Sequence, residues 1–151
     1  MDAVTYPNKA VISFVNKNVI PLRIPSDHQP LSRKFDISWT PALFILDQDG
    51  HEHHQTVGFL NPEELISSLL LGIGNMYFHK NAFKEALDHY KIILADHADS
   101  DAAPEAVFQT GVSRYKSTND PKPLKEAYEQ LCRDFPASTW TKRAYPYRLI
   151  Q

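Results

Sequence analysis

One cysteine, Cys132, is the only thiol in these 151 residues. A lone thiol cannot close an internal disulfide, which excludes a stapled secreted scaffold and any dithiol exchange within the chain. No apolar run comes near the roughly 20 residues that cross a bilayer, so no membrane span is expected. Met1-Asp2-Ala3-Val4 has neither the basic start nor the apolar stretch of a secretion signal. A reducing compartment, the cytoplasm, is the expectation, although a segment upstream of Met1 would be free to carry a targeting signal. Neither sign of charge dominates, because 16 basic and 18 acidic residues leave −2 with His neutral. That balance does not steer a chain to a polyanion, so nucleic acid is not an expected partner. A phosphate-binding glycine loop, a catalytic carboxylate pair and a nucleophile–base arrangement are all missing from the pattern, and no cofactor is expected. Glu63-Glu64 is accounted for by a helix start and its dipole.

What is present is an ordinary globular composition, with 42% hydrophobic and 23% charged residues, sufficient for one domain or two small ones. Tyr6-Pro7-Asn8 reads as a helix entrance with Asn8 as N-cap, followed by Val11, Phe14 and Val15 at helical spacing. The period then changes. Ile20, Leu22 and Ile24 alternate as in a strand, with Pro21 marking a free edge. A short helix is expected over Leu31 to Phe35. Ala42–Asp47 is a continuous apolar run ending in Asp, which suggests a strand buried on both faces. Asp47-Gln48-Asp49-Gly50 is a turn, and His51 to Gly58 is the returning strand. Asn61-Pro62-Glu63-Glu64 starts a helix, with Glu64 placed to close a capping box and Leu65, Ile66, Leu69, Leu70 and Ile73 as its buried stripe.

This order of helix, strand, short helix, Trp39-Thr40-Pro41, strand, turn, strand and helix resembles the C-terminal two-thirds of the thioredoxin fold. The resemblance covers residues 1–70 and implies a cis peptide at Thr40-Pro41. It also implies that the backbone before Pro41 pairs with an extended substrate peptide, which makes Trp39, Thr40 and Pro41 the candidate peptide-binding residues. The departure is as informative. The chain has no CxxC, and the strand that the family places in the middle of its sheet is missing. Val19–Ile24 and Ala42–Asp47 would each present unpaired backbone groups, which are costly when buried. Three outcomes are open. The two strands close on each other; a second copy covers the gap in a homodimer; or the natural protein begins upstream of Met1 and carries the missing strand.

Residues 71–151 read as helical hairpins. Ile73, Gly74, Tyr77, Ala86 and Tyr90 resemble the tetratricopeptide repeat, in which small residues let two antiparallel helices approach closely. Pro104, Glu105, Val107, Gly111 and Tyr115 mark a looser second unit, with Ser100 or Asp101 as its cap. A helix through Leu124, Ala127, Tyr128, Leu131 and Phe135 follows, then a last one over Thr139–Tyr145. The helix from Asn61 and the first repeat helix overlap, so one shared helix is expected from about Asn61 to His79. The fold class expected is therefore α/β thioredoxin-like with an incomplete sheet, then all-α tetratricopeptide-like hairpins.

Three further features bear on chemistry. His51 and His53 share a strand face at a spacing open to a transition metal, but no third ligand is fixed, and a solvated hairpin face is the expected reading. Cys132 falls at helical spacing with Tyr128 and Phe135 and is expected to be a small buried hydrophobe. Arg114, Lys116, Lys122 and Lys125 read as a solvated basic surface. The function expected is that of a redox-inactive protein-interaction module binding a peptide or protein client. The alternative is the C-terminal portion of a thiol–disulfide oxidoreductase whose CxxC lies upstream of Met1.

Overall fold

Asn8 opens the first helix by accepting from the backbone N–H of Ala10 and Val11, and α1 runs Lys9–Asn18. The computed structural model describes residues 1–151. After α1 come α2 (Gln29–Lys34), β1 (Ala42–Leu46), β2 (Glu52–Val57) and α3 (Pro62–His79). Four more helices follow: α4 (Phe83–Asp96), α5 (Ala103–Thr118), α6 (Lys122–Asp134) and α7 (Thr139–Ala144), with a 3-10 turn at Tyr145–Leu149. The protein is thus mainly helical, with one small antiparallel sheet near its N-terminal end.

The sheet pairs Ala42 with Val57 and Ile45 with His54, and its register shifts between Ile45 and Leu46. Gly50 at φ +76° closes the turn, a conformation that favours glycine. β1 has β2 on one edge and no ladder partner on the other. Two expectations fail here for a common reason. Val19–Ile24 is not a strand; Ile20 and Leu22 stand 97% and 80% exposed. β1 is half-buried along its length, with Leu46 exposed, and is not enclosed on both faces. Alternating apolar residues favour extended backbone, but a strand persists only when a ladder and a covered face stabilise it. Neither is supplied to residues 19–24, so of the three outcomes the two segments do not close on each other.

α3 is the element that joins everything. Asn61 caps it by accepting from Glu64 N–H at 2.9 Å, and Pro62 occupies its first position. It continues unbroken for 18 residues through Gly72 and Gly74, as the overlapping patterns required, and crosses the expected 70/71 boundary in mid-helix. On one side Leu65 and Leu69 pack with Val11 of α1, and with Leu43 and Ile45 of β1. On the other, Leu70 and Leu71 join Ala86, Tyr90 and Ile93 of α4 and Ala103 and Ala106 of α5. Thr5 reinforces the first junction, its buried hydroxyl donating to the Leu60 carbonyl at 2.6 Å.

The glycines show why the helices approach so closely. A Cβ on Gly74 would stand 2.6 Å from the Tyr90 ring, and one on Gly111 would stand 2.6 Å from Ala127 Cβ and 2.8 Å from the Pro123 carbonyl. Ala86 and Tyr90 are fully buried, and Tyr77 packs half-buried against the same core. Val107, Ala127, Leu131 and Ala144 form the last cluster.

Three local expectations fail. Glu64 does not close a capping box; its carboxylate accepts from the Asp101 N–H at 3.1 Å. Neither Ser100 nor Asp101 caps α5, whose N-cap is Ala102, and Ser100 donates instead to the His97 carbonyl. Cys132 is exposed. The buried stripe of α6 runs through Leu124, Ala127 and Leu131, and one residue beyond Leu131 turns about 100° away from the core.

Candidate functional site

The loop between α2 and β1 carries Trp39-Thr40-Pro41. The Thr40–Pro41 peptide is cis. Trp39 is 70% exposed, unusual for so large an apolar surface. Phe35, the C-cap of α2, packs on Phe44 with ring centroids 4.8 Å apart, which anchors the loop to β1. The Pro41 carbonyl is committed to the hairpin, accepting from Gly58 N–H at 2.8 Å. Ser38, Trp39 and Thr40 make no backbone hydrogen bond within the protein. With Ser26 and Ile37 they line an open depression of about 370 Å³. The site is therefore a rigidly flanked loop with unused donors and acceptors beside an exposed indole.

A second constellation gathers at the other end of the sheet, around Asp47. Its side chain is only 5% exposed. Oδ1 accepts from the backbone N–H of Asp49 at 3.0 Å and of His51 at 2.9 Å. Oδ2 stands 3.1 Å from His53 Nε2 and 3.6 Å from Lys80 Nζ. The His51 N–H and the His53 ring, with Lys80 assisting, hold the carboxyl well below the usual carboxylate range. His53 Nδ1 in turn meets His79 Nδ1 at 2.9 Å. Burial and the adjacent His53 push the His79 imidazole below its ordinary value.

His51 and His53 do not act as a pair. The strand begins at Glu52, so His51 stays in the turn with its side chain 76% exposed, 3.5 Å from Asp47 Oδ1. His53 faces the C-terminal end of α3. Asp47, Asp49 and His51 also lie close together, but the last two are exposed. The partner of His53 is His79, 26 positions away, and no local spacing signals such a pair. Asp47 was legible only as a turn residue.

On the opposite face of β2, His54 Nε2 lies 3.1 Å from both Ser68 Oγ and Thr56 Oγ1, which are 2.9 Å from each other. This triangle pins β2 to α3. Burial holds the His54 imidazole below its usual value. In the unfolded chain His54 takes up a proton below about pH 6.5, whereas in the folded protein it resists. Its contribution is therefore complete above that pH and is lost as pH falls through the lower folded value. The urea midpoint is expected to drop between pH 7.5 and 5.0, and His54→Gln is expected to flatten that slope. An unchanged slope in the variant would show that this ring does not sense the titration.

Compared with protein-family models, curated proteins and solved structures, the chain matches none of them.

Proposed function

We propose that this protein is an interaction module in which a thioredoxin-like part without redox cysteines is joined to short tetratricopeptide-like hairpins. Its client is an extended peptide or a protein segment in extended conformation, received at Trp39–Pro41. The single observation behind this reading is the coincidence at one loop of a 70% exposed indole and residues whose backbone is unpaired. An aromatic anchor supplies binding energy, and a free backbone supplies the main-chain bonds that an extended ligand needs. The order of elements and the shared α3 support the comparison with the two folds.

The test is a selection of random peptides against the wild-type protein, followed by affinity measurement on Trp39→Ala. Binding is expected to weaken by about tenfold or more, the loss usual for an aromatic anchor. The melting temperature should not move, because the indole packs little against the fold. Selected peptides that bind the variant as tightly would remove Trp39–Pro41 from the reading.

A second reading, the downstream portion of a thiol–disulfide oxidoreductase, is favoured by one observation. β1 has no ladder partner on one edge, and an additional strand would pair with it there. In-frame codons for Cys-x-x-Cys upstream of Met1 would select this reading. A stop codon between them and Met1 would dismiss it.

A further inference from the structure

We propose that the client continues past the Trp39 loop and joins the sheet as a third strand, pairing with the open edge of β1 at Ala42, Phe44 and Leu46. The inference rests on the Trp39–Pro41 reading and gives that client a chemical class, an extended, uncharged segment with apolar side chains on both of its faces.

Parity identifies the three residues. In an antiparallel ladder the N–H and C=O of alternate residues point to the partner, and those between point away. At one end of the hairpin Gly58 N–H donates to the Pro41 carbonyl at 2.8 Å, and at the other Asp47 N–H donates to the His51 carbonyl at 3.0 Å. Residues 41, 43, 45 and 47 therefore face β2, and Ala42, Phe44 and Leu46 face outward. The register shift leaves this count intact, because its extra residue is His53 on β2. No strand lies on the outward side, and the only helices or strands packed on β1 are β2 and α3. The unpaired residues Ser38–Thr40 lead directly into this edge.

The composition of β1 says what belongs beside it. Ala42-Leu43-Phe44-Ile45-Leu46 carries no charge and no proline, the run of a strand with neighbours on both sides. Edge strands that stay free are normally blunted by charge, proline or a bulge of their own. β1 has none of these. Leu43 and Ile45 pack toward Val11 and Leu65 on one face, and Phe44 meets Phe35 on the other. An incoming strand sets its side chains beside both apolar rows. Pairing along all five residues takes about 16 Å of extended chain. A second copy of this protein fits the edge less well. The register that pairs every outward residue of two copies, Phe44 on Phe44, brings each Trp39 level with the other copy's Asp49, an indole against an exposed carboxylate.

Amide exchange followed by NMR on the whole protein, with the tightest peptide of the Trp39 selection as probe, tests the pairing. In the free protein Leu43 and Ile45 should exchange slowly, and Ala42, Phe44 and Leu46 fast. Saturating peptide should slow those three by about tenfold or more, as their N–H groups become bonded. Methyl groups on alternate peptide nitrogens should weaken binding by more than about tenfold in one phase and far less in the other, since only one phase faces β1. Exchange at the three amides left unmoved by a peptide that Trp39→Ala no longer binds would overturn the proposal and leave the Trp39 reading standing. Protection of the three amides by a peptide that binds Trp39→Ala as tightly would keep the added strand and remove the loop. Slow exchange there before any peptide is added would overturn the proposal too, and a dimer in sedimentation would then give the edge to a second copy.

Discussion

Tyr90→Ala is expected to lower the unfolding free energy by about 3–5 kcal/mol, the cost of removing a large aromatic ring from a closed core. Tyr90 is fully buried in the cluster shared by α3, α4 and α5. Its ring lies against Gly74, so no neighbouring side chain on that side can move in to fill the void. Its hydroxyl donates to Asn75 Oδ1 at 2.8 Å, and Asn75 Nδ2 donates to Glu105 Oε1 at 3.2 Å. Burial and the nearby Glu105 carboxylate push the Tyr90 phenol above its ordinary range, so it remains a donor at any working pH. Tyr90→Phe separates the two contributions. It keeps the ring and strands the Asn75 carbonyl, at about 1–3 kcal/mol. Small domains have only about 5–15 kcal/mol to lose, so the alanine variant is expected to melt far earlier. Urea denaturation of both variants measures the difference. Equal losses would mean that the hydroxyl, not the ring, holds the first hairpin together.

Gly72→Val is expected to act on the opposite side of the same helix. Even the Cβ it introduces would stand 2.5 Å from Ile45 Cγ1 and 2.9 Å from His54 Cβ. Those atoms belong to both strands of the sheet, and a two-stranded sheet has little else to hold it in place. Overpacking of this kind costs about 1–3 kcal/mol, and the small propensity gain over glycine does not offset it. The sheet is expected to lift away while the hairpins remain. Hydrogen exchange should show lost protection across residues 42–57 with little change in α4 to α6, and the helical dichroism should persist. Uniform loss of protection would indicate that sheet and hairpins unfold as one unit.

The parts of the architecture legible from sequence were those decided within a few residues. The Asn61-Pro62 start and the apolar stripe of α3 are local, so its full span from the cap to His79 is legible in the sequence. The same holds for the Gly50 turn, the β1–β2 hairpin, and the helices on either side of Gly74 and Gly111. Residues 19–24 carry an equally clean alternation but no strand, because a ladder needs a second segment that sequence periodicity does not provide. Glu64 illustrates a different failure. Its spacing fits a capping box, yet its carboxylate is taken by Asp101, 37 residues on. The histidine cluster was half legible. His53 stood out beside His51, but only the packing of β2 on the end of α3 brings His79 to it. Trp39-Thr40-Pro41 was singled out by resemblance, and the structure adds the exposure of the indole and the unpaired backbone around it.

α3 is a party wall. Its 18 residues extend about 27 Å, and each flank is finished by a different neighbour. Neither tenant can be moved out alone, since a cut anywhere along the wall strips someone's lining. For a client that touches both the Trp39 loop and the hairpins, the spacing between its two footholds is therefore dictated by one rigid rod rather than by a tether.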